Sequence, residues 1–366
     1  MCNIAGYIGG KQAAPILIDM LKRQEGFCGG YYTGIITIHE GKLYCAKVVG
    51  DVDRLLAETD ALNFPGTCGV IHSRSRSGGD VRHAHPFVSM DKNLAMVLNG
   101  GIVRYAPVYD GEGASRELDA LGFKFDTETP PCDALKGHNR LPNGNCIHNS
   151  EAVCHFTDHY KKSLGISTDA ALEKAFLRMP QESVCLAMHA QDGNAISFAN
   201  YNMPMCVART EDEVFLSSFS IAFPTDREYF VTGYIPHASS GQITLEGTKL
   251  HRFKPPIPIG NITPKIAHDG YAAVIKLLEE EPSCSIGKLN NAVRGLWGES
   301  IDQRYPLVYS ILQGLQDAGR LGIVESQREG LCPGLTAPHC EVTLKDKAGI
   351  STPDNTSEQP QDVWTW

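Results

Sequence analysis

The sequence predicts an α+β fold, two sheets with flanking helices followed by a small helical module, and three observations point to it. Strand patterns cluster early, two helical patterns interrupt them, and strand patterns then return. That is the order of an α+β domain rather than of a regular βαβ repeat. Pro255, Pro256 and Pro258 with Gly260 interrupt any regular element and mark a linker. Beyond it, three stretches carry the apolar spacing of helices.

Each element follows from local pattern. Cys2 to Ile8 reads as a short, largely buried strand, and Ile16, Leu17, Met20 and Leu21 after Pro15 fall on one helix face. Strands at 34–39 and 42–48 flank Glu40-Gly41, an acidic-Gly pair that reads as a tight hairpin. Further strands are expected at 68–72 and 94–99, helices at 151–162 and 169–178, then strands at 184–190, 195–199, 205–208 and 214–217. The main domain is thus expected over 1–254 and the linker over 255–264. Spans 271–281, 286–297 and 304–318 read as helices, with Ser285 as a cap, and 322–325 as a short strand. Three short helices and a strand predict a winged-helix-like module over 265–350. The polar residues 351–366, with Pro353 and Pro360, are expected to form a flexible tail.

Composition narrows the function classes. The chain has 366 residues, 42% hydrophobic and 20% charged, as ordinary globular proteins do. No apolar run reaches the roughly 18 residues of a membrane span. The first residues lack a basic stretch followed by a sustained apolar one, so a cytoplasmic location is expected. Twelve cysteines without a C-x-x-C pair read as free, mostly buried thiols rather than a disulfide framework. A net charge of −9 disfavours nucleic acid as a partner. Within 265–347, 9 Lys/Arg stand against 11 Asp/Glu, so the module lacks the positive footprint of a DNA reader and fits packing or partner docking better.

The residue richest in chemical consequence is Cys2. Removal of Met1 would place a thiol and a free α-amine on one residue, and an amine titrating near pH 8 can take the thiol proton directly or through water. Three other segments accompany it: Ser73-Arg74-Ser75-Arg76-Ser77, His83-Ala84-His85-Pro86, and Leu98-Asn99-Gly100-Gly101-Ile102.

With Cys2-Asn3-Ile4-Ala5-Gly6, these segments resemble, in order and approximate spacing, the class II glutamine amidotransferase domain of the N-terminal nucleophile hydrolases over roughly residues 2–253. The resemblance implies a four-layer αββα sandwich. It implies Cys2 as nucleophile, with the Asn99 side-chain amide and the Gly100 N–H as donors to the developing oxyanion. It places Arg74 on the substrate α-carboxylate, a task suited to a two-pronged guanidinium, with Ser77 and His85 lining the same pocket. No cofactor is implied.

Two features depart from the family. An Arg-Gly-x-Asp-Ser-x-Gly segment is replaced by Glu25-Gly26-Phe27-Cys28-Gly29-Gly30, without the arginine and aspartate. The acidic segment whose aspartate holds the substrate α-amine has Asn149-Ser150-Glu151 as its best counterpart, and Thr129-Pro130 as a lesser one. Asn149 as the amine ligand lacks the charge that strengthens contacts to an ammonium. An apparent insertion over 130–150 contains Cys132, His138, Cys146 and His148, with Cys154 and His155 beyond. Their spacings match no common zinc pattern, and a loop over the active-site mouth is expected instead of a metal site.

Three functions remain open. The first is a glutaminase that releases ammonia to an acceptor on another polypeptide, because 261–366 is too short for a sugar-isomerase or phosphoribosyl-transferring domain. The second is an amidohydrolase of a γ-glutamyl or other amide, and the third an inactive scaffold or sensor. Glutamine or a related amide, a separate synthase subunit, and a second copy of the chain are the partners this leaves room for.

Overall fold

The computed structural model describes residues 2–332 and 334–345. The expected tail, 351–366, lies outside the described residues. In chain order the strands are β1 (Asn3–Ile8), β2 (Tyr32–His39), β3 (Lys42–Val49), β4 (Cys68–Arg74), β5 (Phe87–Val88), β6 (Leu94–Gly101), β7 (Asn139–Arg140), β8 (Cys146–Ile147) and β9 (Glu182–His189). They continue with β10 (Ile196–Asn200), β11 (Cys206–Arg209), β12 (Val214–Ser217), β13 (Val231–Tyr234), β14 (Ser239–Ile243), β15 (Thr248–Arg252), β16 (Leu321–Glu329) and β17 (Thr336–Leu344). The helices are α1 (Ala13–Cys28), α2 (Val52–Glu58), α3 (Gly111–Ala120), α4 (Asn149–Leu164), α5 (Thr168–Arg178), α6 (Pro264–Glu280), α7 (Ile286–Ala292) and α8 (Arg304–Asp317).

Alternation along β1 sets the layering. Ile4 and Ile8 point into the space between two sheets, where they meet Val97, Leu186, Ile196 and Phe198. Ala5 and Tyr7, on the opposite face, pack under Leu17, Leu21 and Leu55 of α1 and α2. β1 lies within a seven-stranded sheet ordered β13-β11-β12-β1-β4-β2-β3. The facing six-stranded sheet runs β15-β14-β10-β9-β6-β5. Its outer face is covered by Leu118, Val153, Phe156, Leu172 and Phe176 of α3, α4 and α5. The stack is therefore helix, sheet, sheet, helix.

The β2–β3 hairpin turns where the sequence placed it: Glu40 and Gly41 have φ of 49° and 70°, the left-handed pair a two-residue turn requires. Elements without a strong apolar period went unread. These are α2, α3, the short strands β5, β7 and β8, and the edge β13–β15, where all of Thr248–Arg252 is exposed. Helix α3 owes its start to Asp110, whose side chain accepts from Gly113 N.

After the main body, Thr263 caps α6 at the residue before Pro264, so this helix begins earlier than expected. The strand expected at 322–325 is the nine-residue β16, and it pairs along its whole length with β17, which the sequence reading omitted. Val274, Leu278, Leu289, Leu312 and Val342 form one core with Phe27 of α1 and Phe219. Gly26 permits this contact, because a side chain there would meet Cys340 Sγ and, at 3.1 Å, Cys340 N. The hairpin β16–β17 therefore lies on the C-terminal end of α1.

Candidate active site

Cys2 immediately precedes β1, and Asn99 lies near the end of β6 in the other sheet. The two strands bring these residues together across the sheet interface: the backbone nitrogen of Cys2 donates to Asn99 Oδ1 at 2.8 Å. Asn99 Nδ2 is buried without a partner. One end of the amide thus positions the nucleophile while the other remains a free donor beside it. Gly100 follows with φ of +137°, and a Cβ there would collide with the Glu182 carbonyl and Ser183 across the ladder. Only glycine suits that backbone.

Cys2 is 9% exposed, and its sulfur lies 3.8 Å from Ser75 Oγ. Burial alone would raise the thiol pKa. The hydrogen-bonding capacity and charge of His72, the terminal ammonium charge and the Ser75 backbone outweigh it, and the thiol is brought down to about 6. His72 Nε2 donates to Leu98 O at 3.2 Å, since a carbonyl only accepts. His72 Nδ1 is buried with no protein partner at ordinary hydrogen-bond geometry. It acts on the sulfur as a close polar group rather than through a tight bond.

Glu25 belongs to the segment that lacks the arginine and aspartate, and it is buried. Its Oε1 accepts from Ser73 Oγ at 2.6 Å and Thr33 Oγ1 at 2.9 Å, and its Oε2 accepts from Val52 N at 3.1 Å. Ser73 Oγ in turn accepts the Gly30 N–H at 2.7 Å. Burial pushes the Glu25 carboxyl up to about 7, despite these donors.

Arg74, 5% exposed, donates from Nη1 to His83 O at 2.8 Å and stacks 4.9 Å above the Tyr32 ring. Around it runs a chain of imidazoles. Ring centroids are 4.1 Å apart for His72 and His85, 5.7 Å for His85 and His148, and 4.9 Å for His148 and His138. Burial depresses His85 and His148 well below the ordinary imidazole range, and His138 to about 4. Lys47 Nζ donates to the carbonyls of Arg82, Ala84 and Pro86 at 3.1, 3.0 and 3.3 Å, holding the loop that carries His83 and His85. Among the described residues no group of three or more His, Cys, Asp or Glu is arranged to hold a metal ion.

The structure brings Cys2, Asn99, Gly100, Arg74 and His85 to one end of the sheet interface. Ser77 and Asn149 have structural partners. The Ser77 hydroxyl donates to Ser75 O at 3.0 Å, and Asn149 Oδ1 accepts the Asn139 N–H at 3.0 Å. The hairpin β16–β17 borders the site as well: a cleft of about 500 Å³ is lined by Gly29, Ser75 and Arg76 on one side and Ser285, Arg328 and His339 on the other.

Comparison with known proteins bears on this arrangement. The chain is 28% identical over 227 residues to a glutamine–fructose-6-phosphate aminotransferase (isomerizing) of Pyrococcus horikoshii, covering 61% of this chain and 33% of that protein. It is 27% identical over 226 residues to the protein of the same name from Chlamydia trachomatis, covering 61% and 32%. The chain spans about a third of the length of these curated relatives. A solved glutamine phosphoribosylpyrophosphate amidotransferase from B. subtilis, complexed with ADP and GMP, shares the fold with a TM-score of 0.56 and 18% identity, over 76% of this chain and 58% of that one. A structure described as the allosteric regulatory enzyme of purine biosynthesis gives 0.58 at 16% identity, over 94% and 71%. No family model matches the chain. Together with the order of the motifs, these relatives match the resemblance read from the sequence. The chain is similar to class II glutamine amidotransferase domains.

At this site the sequence reading leaves out three contributors. His72, inside a strand pattern, read as one more strand residue, although its place one residue before Ser73-Arg74 was a usable signal. Glu25 lay in a segment noted only for what it lacked. His83, six residues beyond the run of serines and arginines that ends at Ser77, has no role in the sequence reading. Among the described residues no helix is long and apolar enough to cross a membrane.

Proposed function

We propose that this chain hydrolyses the side-chain amide of glutamine or a glutamine-like compound through a thioester on Cys2, releasing ammonia for a separate acceptor. The observation that carries the reading is the split use of Asn99: Oδ1 accepts the Cys2 nitrogen, and Nδ2 stays buried and unpartnered on the same side chain.

With its pKa near 6 the thiol is largely thiolate at pH 7, so the nucleophile needs little further activation. Once Met1 is removed, the Cys2 amine sits where its N–H already bonds Asn99, and its role shifts to proton delivery. The thiolate attacks the amide carbon, and Asn99 Nδ2 with the Gly100 N–H holds the oxyanion. The protonated amine gives its proton to the leaving nitrogen, and ammonia departs. Water then attacks the thioester with the amine, now neutral, as base, which regenerates the thiolate and releases the acid. Arg74 supplies the guanidinium for the substrate carboxylate, with His85 beside it. The C-terminal module, whose hairpin borders the Ser75–Arg76 cleft, serves as a brace and docking element.

The test is mass spectrometry after treatment with a glutamine-mimicking diazo-ketone. A single adduct on a peptide beginning with Cys2, absent in Cys2→Ala, is the expected result. Labelling elsewhere, or an N-terminus still carrying Met1 in active protein, overturns the assignment.

A further inference from the structure

Resting on the amide-hydrolysis reading above, we propose that Arg74 with His83, His85, His138 and His148 forms the head-group end of the substrate site and takes an anionic end that carries no ammonium. The substrate is then the ω-amide of a dicarboxylic acid, or a glutamine blocked at its α-nitrogen, in preference to free glutamine.

Free glutamine presents a carboxylate and an ammonium on one carbon. A pocket that selects it needs a cation for the first and a carboxylate for the second, because a buried ammonium is stable only when paired. Here the cation is present, and among the described residues each acid nearby already has donors of its own. Asn149 is uncharged, and its Oδ1 is already occupied by Asn139 N at 3.0 Å. The acids nearby are committed elsewhere. Asp80 meets the His83 Nδ1 side at 3.3 Å and is forked by Arg82. Glu151 accepts from Asp126 N at 2.7 Å, Thr127 N at 3.1 Å and the Thr127 hydroxyl. Asp126 is exposed on a separate cavity with Lys92 and Lys124.

What faces Arg74 instead is imidazole. His83 and His138 lie 6.2 Å apart by ring centroid, and His83 and His148 6.3 Å. Both ring nitrogens of His85, Nε2 of His83 and Nδ1 of His138 are buried without a partner; His83 is 1% and His85 3% exposed. A neutral imidazole always offers one N–H, so the cluster can donate to a second carboxylate oxygen, a keto oxygen or an acyl oxygen. The charges bearing on His85 and His148 come from other histidines, Arg74 and Lys47, all of one sign. Two of the four histidines, His138 and His148, come from the insertion, which gives that segment a role in choosing the substrate.

The experiment uses the full processed chain and reads ammonia release from L-glutamine, N-acetyl-L-glutamine, glutaramate and L-glutaminamide. The expected result is a kcat/KM at least tenfold higher for glutaramate and N-acetylglutamine than for glutamine, and the lowest value for glutaminamide, which keeps the ammonium and loses the carboxylate. His148→Asp preserves an acceptor for the Ser150 N–H and adds a carboxylate beside Arg74. At an unchanged thermal midpoint it should raise glutamine relative to glutaramate at least tenfold. A wild-type preference for glutamine over glutaramate of tenfold or more overturns this proposal and leaves amide hydrolysis standing. No ammonia from any of the four overturns both.

Discussion

Asn99 and Cys2, 97 positions apart in sequence, share a 2.8 Å hydrogen bond that crosses from one sheet to the other. On the proposed mechanism one side chain thereby sets both the nucleophile and the oxyanion donor, so geometry and electrostatics fail together when it is removed. Asn99→Ala is expected to lower kcat by about 10²- to 10³-fold. Asn99→Asp retains the acceptor for the Cys2 nitrogen but loses the donor, so alkylation of Cys2 should persist while turnover is lost. Steady-state kinetics alongside iodoacetamide labelling distinguishes the two.

The thiol pKa of about 6 depends on His72 overcoming the effect of burial. The alkylation rate of wild-type protein should therefore rise through a limb centred near pH 6. His72→Gln can still donate to Leu98 O but carries no charge, and the limb should move upward by about 1–3 pH units. A limb that stays in place would show that another group lowers the thiol.

Glu25 titrates the other way from a paired surface carboxylate. Its folded value of about 7 lies above the ordinary 4.5, so the folded state holds the proton longer than the unfolded chain does. Stability is therefore intact below pH 4.5, falls as pH rises toward 7, and is lowered above that by about 3 kcal/mol. Glu25→Gln removes the titration. Urea midpoints at pH 5 and pH 8 should differ less in this variant than in the wild type.

Gly100→Ala should destabilise by about 2–4 kcal/mol and abolish turnover, because the new methyl meets the Glu182 carbonyl and Ser183. A thermal melt checks the first effect and ammonia release the second.

Arg104 links the oxyanion strand to the C-terminal module. It pairs with Glu182, which faces Gly101 across the ladder, and its Nη1 lies 2.7 Å from Asp302 Oδ2. Asn202 Nδ2 joins through Asp302 O at 2.6 Å. Arg104→Ala leaves the buried Glu182 carboxylate without its cation, while Asp302 keeps Arg304 at 2.9 Å, and is expected to cost about 3 kcal/mol, readable by chemical denaturation. Turnover should fall further than folded fraction alone explains, since Glu182 adjoins the ladder position of Gly100.

Local periodicity revealed the central strands and long helices because each buries a strongly apolar face. Edge strands such as β15 offer no such face, and β17 buries the mixed set Ala337, His339, Val342 and Leu344, so neither leaves a clear apolar pattern. At the candidate site, the sequence singles out Cys2, Arg74 and Asn99-Gly100 because each motif is local, and the structure brings them together. Glu25 and the histidine chain are not singled out, since their meaning comes from neighbours brought in by tertiary packing. Asn149 differs again: its place in a motif points to substrate, and in the structure its Oδ1 accepts the Asn139 N–H.

His148 belongs at once to the fold and to the pocket. Its Nδ1 accepts the Ser150 N–H and so starts α4, while its ring borders His85 and His138. Any lineage drifting toward a new substrate meets a constraint at this position, where only side chains able to begin a helix survive. Divergence among relatives of this protein should therefore accumulate first at His138 and His85, which carry no such second duty.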